Sequence, residues 1–280
     1  MNLLGKVCVI TGASSGIGKS LSLKLASEGA IVVLAARRNS KLKAIINEIK
    51  EFGGEAIGIK TDITKSIECK NLIDETINQY NKIDLLLLGA GVSMWAPFKE
   101  ISDISFFNDL IETNYKGAVH CVHSALPYLI LSQGMIVTCS TAQAIVGFTN
   151  HSGYAASKHA LHGFLDTLDI ELNGKVRFLE AFLGWIRGTN MRSNAFGPDG
   201  KKMGETKRKH SKNSVSVDDC SENDYQNISN FQKIDLLKLK KNQGSQKAIS
   251  IGLKYVRDKS LEFDYLIVMD SDGEDKPEDL

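Results

Sequence analysis

Residues 11–18 read TGASSGIG, after a β-branched apolar run at 6–11 and before a stretch of helical spacing at 19–28. Gly12, Gly16 and Gly18 let the chain turn tightly and let a ligand approach the backbone. The N–H groups and positive end of a following helix attract phosphate. Glycines alone serve any tight turn, so the surroundings decide the reading. Outward from the turn, short apolar runs at 31–36, 56–60, 85–88, 135–139 and 176–181 alternate with segments of helical spacing. In residues 41–52, for example, Leu42, Ile45, Ile46 and Ile49 fall on one stripe. Strand and helix in strict alternation imply right-handed crossovers and a parallel sheet covered on both faces. The expected class is α/β with a doubly wound parallel sheet, in which a glycine turn after the first strand holds a dinucleotide's pyrophosphate.

The chain has 280 residues, 42% of them apolar and 24% charged, which excludes wholesale disorder and collagen-like structure. Lys plus Arg number 34 against 33 Asp plus Glu, so no global field attracts nucleic acid or anionic lipid and any anion is bound locally. The apolar runs are shorter than the ~20 residues of a membrane helix, and no secretory signal opens the chain. A cytoplasmic protein without a membrane span is expected. Five cysteines (Cys8, Cys69, Cys121, Cys139, Cys220) without a C-x-x-C pair read as reduced and structural. His120 with His123, and His159 with His162, stand three apart on expected helices and read as ordinary polar positions, so no metal is assigned. GPDG at 197–200 reads as a turn, and 201–212, with six basic residues and one acid, as a solvated loop or flap.

The second strand ends in Arg37 and Arg38 with no acid nearby. An acid there would grip the ribose 2'-hydroxyl of NAD, whereas a cation accommodates the 2'-phosphate of NADP. NADP (NADPH) is therefore favoured over NAD, with Lys41 close enough to assist. The alternative is that one or both arginines simply face solvent. Further on, Tyr154 and Lys158 stand four apart in SGYAASKHALHGF, so both emerge on one helix face. A phenol titrates near 10 in water, and a neighbouring ammonium together with the positive charge of an oxidised nicotinamide would lower that value toward acid–base work at neutral pH. Without further context such a spacing is most often a surface pair.

With TGASSGIG, the Y-A-A-S-K at Tyr154, the N-Y-K-G at Asn114 and the T-D-I at Asp62 in order, residues 4–225 resemble the short-chain dehydrogenase/reductase family. The resemblance implies a Rossmann fold and an NADP(H)-dependent interconversion of ketone and secondary alcohol. Tyr154 would be the acid–base. Lys158 would hold the nicotinamide ribose and tune the tyrosine, and Asn114 would anchor a water relaying protons to Lys158. The family's substrate-orienting serine lies thirteen residues before the tyrosine, where this chain has Thr141; Ser140, on the opposite strand face, is the reserve. The cofactor would also meet Ser14, Ser15, Ile17, Asp62 (at the adenine), Ile63, Ala90, Gly91 and Gly184. Departures are Leu88-Gly89-Ala90-Gly91 where the family has N-N-A-G, Leu183-Gly184 where it has P-G, and Thr189 one residue later than the family's threonine. The segment TNMRSNAFGPDG, residues 189–200, is similar to the flap of reductases akin to the 11β-hydroxysteroid dehydrogenase group, implying a small hydrophobic carbonyl or alcohol substrate. Family members are often homodimers or homotetramers.

From about residue 234 the resemblance changes. LKKNQGSQKAISIGLKY and FDYLIVMDSDGEDKPEDL resemble part of a GT-A glycosyltransferase of the polyprenyl-phosphate mannose synthase type, in which Asp270 and Asp272 would bind a divalent cation and a sugar nucleotide. The other segments of that fold are missing. The expected organisation is a reductase domain at 1–230 and a partial transferase-like segment at 231–280. IDLLKLK, residues 234–240, could substitute for the reductase's final strand, leaving FDYLIVMD without a partner and prone to aggregate. Sugar transfer through Asp270 and Asp272, or a non-catalytic dinucleotide-binding fusion, are the alternative functions.

Overall fold

The computed structural model describes residues 3–184, 186–205, 215–216 and 264–267. β1 (Val7–Thr11), β2 (Ile31–Ala36), β3 (Glu55–Lys60), β4 (Leu85–Leu88), β5 (Met135–Thr141) and β6 (Arg177–Leu183) alternate with α1 (Gly16–Ser27), α2 (Asn39–Glu51), α3 (Ser66–Tyr80), α4 (Phe106–Ile111), α5 (Gly117–Ser132) and α6 (Ser152–Leu172). A two-residue strand pair joins β7 (Ile186–Arg187) to β8 (Val215–Ser216), and β9 (Asp264–Ile267) lies far along the chain.

The main sheet has seven strands in the order β3-β2-β1-β4-β5-β6-β9, and every pairing is parallel. Period-two alternation sends Cys8, Ile10, Val32, Leu34, Leu85 and Leu87 to one face, where Leu21 and Leu25 of α1 and Leu42, Ile45 and Ile49 of α2 bury them. Val7, Val9, Val33, Ala35, Leu86 and Leu88 go to the other face, under α3, α5 and α6. The continuous apolar strands follow from this double cover. β1 pairs with both β2 and β4, so the strand order reverses between β1 and β4. Sheets wound this way hold their ligand crevice at that point, outside the carboxyl ends of the strands.

One expectation is overturned. Residues 264–267, within FDYLIVMD, are not left without a partner: they extend the sheet beyond β6, with Leu179 opposite Asp264 and Phe182 opposite Ile267. The edge strand β6 offers a full row of backbone donors and acceptors, and a short β-prone segment satisfies them. IDLLKLK, Asp270 and Asp272 lie outside the described residues.

The segment after β6 folds back over the carboxyl end of the sheet. The Phe196 N–H donates to the Ser93 carbonyl and the Trp95 N–H to the Phe196 carbonyl, each at 2.8 Å. GPDG forms the expected turn, closed by the Gly200 N–H on the Gly197 carbonyl at 3.1 Å. Phe196 stacks on Phe106 at 5.0 Å between centroids, and with Met94, Ala96, Leu110 and Tyr154 they make a separate apolar cluster over the crevice. Among the described residues no helix is long and apolar enough to cross a membrane.

Candidate active site

The glycine turn is built for close approach. Gly12 has φ of +70°, and a Cβ there would stand 2.8 Å from the Ala90 backbone. At Gly18 it would meet the Gly12 carbonyl oxygen at 2.5 Å, so α1 packs directly on the turn. Ser15 precedes α1 in an extended conformation and makes no side-chain cap, and the first turn of α1 has no acid. The helix therefore presents its N–H groups and positive end without a local competitor. Arg38 donates to the hydroxyl oxygens of Ser14 at 2.9 Å and Ser15 at 3.2 Å, which brings a guanidinium from the end of β2 to the mouth of the turn. Arg37 takes another course, within electrostatic reach of Lys202 in the segment after β6. A glycine cradle, an uncapped helix start and an arginine beside two serines fit a phosphorylated dinucleotide. Lys41 is exposed on the first turn of α2.

The opposite wall follows β4. The Thr11 hydroxyl donates to the Leu87 carbonyl at 3.2 Å and accepts from the Gly89 N–H at 3.1 Å, pinning the G-A-G loop to β1. Glycine at 89 has a steric reason, since a Cβ would lie 2.8 Å from the Thr11 carbonyl oxygen. Ala90 and Gly91 line the crevice rim, half-buried. Asp62 at the end of β3 accepts from the Thr64 N–H at 3.1 Å and hydroxyl at 2.9 Å, while buried Ile63 packs against Gly117.

Between α4 and α5 the helix widens into a π turn, Glu112–Lys116, a distortion common at functional sites. It buries Asn114, whose Oδ1 accepts from the Val92 N–H and whose Nδ2 donates to the Val92 carbonyl, both at 2.8 Å, and to Ser157 Oγ at 2.9 Å. One side chain thus ties the loop after β4 to the helix carrying Tyr154.

Tyr154 and Lys158 project from α6 into this buried region. The Lys158 Nζ lies 6.0 Å from the Tyr154 ring centroid and donates to the Cys139 carbonyl at 3.0 Å. Burial pushes the Tyr154 phenol well above its ordinary value, with the nearby Cys139 thiol adding to the rise. In the protein alone desolvation dominates at Tyr154; the expected lowering belongs to Lys158 acting together with an oxidised nicotinamide. Burial lowers Lys158, opposed by Cys139 and Glu180. On β5 the faces alternate as expected. Ser140 is buried, its Oγ without a hydrogen-bond partner, whereas half-buried Thr141 accepts from the Gln143 N–H at 3.4 Å and stands at the strand end.

Gly184, after β6, is exposed. Beyond it Thr189 comes down on the turn, its Cγ2 3.4 Å from where a Gly16 Cβ would be. The structure therefore brings Arg38 to Ser14 and Ser15 of the turn that holds Gly12, Gly16, Ile17 and Gly18, packs that turn on the Ala90–Gly91 loop, and ties Asn114 and the Tyr154–Lys158 pair to α6 and to β5, the strand that ends in Thr141. The Thr11 hydroxyl and the Trp95–His151 edge contact, 4.9 Å between centroids beside Tyr154, escaped the sequence reading. Thr11 could have been found, as the strand residue that opens TGASSGIG.

This fold and site define a nucleotide-binding α/β oxidoreductase architecture. The short chain dehydrogenase family model matches residues 6–199, and the chain belongs to that family. It is 36% identical over 201 residues to 11-beta-hydroxysteroid dehydrogenase 1A of Arabidopsis thaliana, covering 71% of this chain and 58% of that protein. It is 37% identical over 196 residues to 11-beta-hydroxysteroid dehydrogenase B of Sesamum indicum, covering 70% of this chain and 54% of that protein. The chain thus spans somewhat more than half the length of these curated relatives. Among solved structures, a metagenomic short-chain oxidoreductase in complex with NADP is 31% identical with a TM-score of 0.62, over 66% of this chain and 84% of that one. An alcohol dehydrogenase from the archaeon Thermococcus sibiricus complexed with 5-hydroxy-NADP shares the fold at 22% identity and a TM-score of 0.71, over 97% of this chain and 98% of that one. A second model, glycosyl transferase family 2, matches residues 210–280.

Proposed function

We propose that this chain is an NADP(H)-dependent oxidoreductase that interconverts a hydrophobic ketone and the corresponding secondary alcohol. The observations that support the proposal are the buried Tyr154–Lys158 pair, with Lys158 bonded to the end of β5, and the Arg38–Ser14–Ser15 cluster at the turn after β1, both at the carboxyl ends of parallel strands. Bound NADPH would supply the hydride. Gly12, Gly16 and Gly18 with the start of α1 would hold its pyrophosphate, Arg38 its 2'-phosphate, and Asp62 and Ile63 its adenine end. Ala90, Gly91 and Gly184 would border its ribose and nicotinamide half.

The Thr141 hydroxyl, at the open end of β5, can donate to a substrate carbonyl oxygen. Tyr154, protonated at neutral pH as any phenol is, gives its proton to that oxygen as negative charge develops. The ammonium of Lys158, fixed on the Cys139 carbonyl, then stabilises the phenolate. Asn114 holds the surrounding loops in register. Met94, Phe106 and Phe196 form an apolar roof suited to a hydrophobic substrate. Assembly as a homodimer or homotetramer belongs to the same proposal and is supported by exposed apolar residues on α5 and α6, Leu131 at 82% and Ile170 at 60% exposure.

Two points concern the C-terminal part. The proposal takes residues 1–230 as the NADP-binding unit and 231–280 as a partial transferase-like segment, supported by a β9 that joins the main sheet rather than one of its own. A second reading, sugar-nucleotide binding through Asp270 and Asp272, draws on the glycosyl transferase match alone. The test is to titrate the full chain with NADPH and follow its absorbance with a panel of hydrophobic ketones, comparing Tyr154→Phe. Lost turnover with retained NADPH binding is expected, with a fall of about 10²–10⁴. Unchanged turnover in Tyr154→Phe would remove the assigned acid, and manganese-dependent sugar-nucleotide hydrolysis would favour the second reading.

A further inference from the structure

One helical turn beyond Lys158, the interface of α6 with the sheet holds a carboxylate that the reaction above does not use. Glu180 of β6 is 8% exposed and lies opposite Thr138 of β5. Its Oε2 accepts from His162 Nδ1 at 2.6 Å. Its Oε1 is buried without a hydrogen-bond partner, as are the hydroxyl oxygens of Thr138 and Ser140. Alternation puts 138 and 140 on one strand face, and the register puts Glu180 on the same face. His162 is one turn beyond Lys158 in α6, with its ring edge-on to Phe182 at 6.0 Å. Around them this face is apolar, with Ile136, Leu161 and Leu165 among its buried residues.

A buried carboxylate is costly unless charges and hydrogen bonds compensate it, and an apolar side chain would fill the same space at less cost. Lys158 has the reciprocal problem. Its ammonium is enclosed and anchored on the carbonyl of Cys139, the residue next to Thr138. We propose that Glu180 is a positioning residue for Lys158: held by His162, its carboxylate supplies the negative field that keeps the enclosed ammonium charged, so that it can stabilise the phenolate. The proposal rests on the reading of Tyr154 and Lys158 as the proton-transfer pair.

Among the described residues, the titratable groups around the pair are Tyr154, Lys158, His162 and Asp166 on α6, Cys139 on β5 and Glu180 on β6; the register partner of Glu180 on β9 is Tyr265. Burial draws Lys158 down while Cys139 and Glu180 resist. The Glu180 hydrogen bond holds His162 above its ordinary value against burial, with Asp166 adding to the effect. Without the carboxylate, Lys158 loses its proton at lower pH.

The test follows the side-chain carbon signals of Lys158 against pH in the full chain labelled with ¹³C-lysine, assigned with Lys158→Met. In Glu180→Gln the titration midpoint is expected to fall by about one pH unit or more. The alkaline limb of kcat moves the same way with KM unchanged. Thr138→Val, which removes a buried hydroxyl from the same face without removing charge, leaves the midpoint in place. A Glu180→Gln midpoint at the wild-type value, or displaced no further than in Thr138→Val, overturns the proposal. If Glu180→Gln does not fold, Glu180→Asp replaces it: a smaller shift in the same direction supports the proposal, and a wild-type midpoint sinks it. A wild-type chain without ketone turnover whose lysine midpoint still depends on Glu180 retires the functional reading and leaves the electrostatic pairing. Turnover with an insensitive midpoint does the reverse.

Discussion

If Tyr154 is the acid–base proposed above, the burial that raises its phenol separates the pH responses of the two reaction directions. Reduction needs the protonated phenol, which is present throughout the neutral range. Alcohol oxidation needs the phenolate, so its rate is expected to climb with pH from 7 to 10 without a plateau, measured as initial rates in both directions. A plateau near pH 7 would mean that charges brought by the ligands reverse the effect of burial. Arg38 supports a second prediction at this scale. Its two bonds to Ser14 and Ser15 place it where a 2'-phosphate would replace or join the serines. A charge-assisted bond contributes about 1.5–3 kcal/mol, so Arg38→Leu should weaken NADPH binding about tenfold to a hundredfold while changing NADH binding little. Equal losses for both nucleotides would mean that the arginine serves the turn and not the phosphate. The sequence named Arg37 and Arg38 together. Separating them required the side-chain paths, which depend on Ser14 and Ser15 being brought to the end of β2 by the β1–α1 turn.

Among the elements, β1 and β4 carry the site, and two polar ties hold them. Thr11 links β1 to the G-A-G loop by hydroxyl bonds in both directions. Thr11→Val keeps the shape and leaves the Gly89 N–H and the Leu87 carbonyl short of partners. A loss of about 1–3 kcal/mol in denaturant unfolding is expected, together with weaker NADPH binding. At the opposite end Asp84 accepts from the Val7 N–H at 2.9 Å and pairs with Lys6 at 2.7 Å and Lys82 at 3.1 Å. Burial alone would raise this carboxyl, but the Lys6, Val7 and Lys82 contacts outweigh it and hold it below its ordinary value. Its contribution is therefore present above the unfolded-state value of about 3.9 and lost as pH falls through the lower folded one. Asp84→Asn should flatten the acid side of a stability–pH curve measured by thermal melting, whereas an unchanged slope would assign acid unfolding to other groups. The strands and most helices were legible because double cover demands continuous apolar runs. The π turn at Glu112–Lys116 was not, since nothing in the local spacing distinguishes it from ordinary helix.

The whole molecule joins a short-chain dehydrogenase fold to a strand from the region matched by a glycosyl transferase family model. Ending the chain at residue 230 removes β9 and bares the β6 edge. The truncated protein is expected to melt several degrees lower, roughly 5 °C or more, or to associate through that edge, as read by thermal melting and size-exclusion chromatography. A truncated chain with the full chain's oligomeric state and melting temperature would show that β9 adds nothing. The glycine turn, the strand–helix alternation and the i, i+4 placement of Tyr154 and Lys158 were determined by sequence alone, because each is a short-range pattern set by backbone sterics and side-chain period. Only the tertiary structure decided which partner β9 takes, that burial raises the Tyr154 phenol, and that Glu180 faces His162 beneath Lys158. Those outcomes depend on desolvation and on contacts between residues distant in the chain, which arise only when the sheet and its helices close on one another.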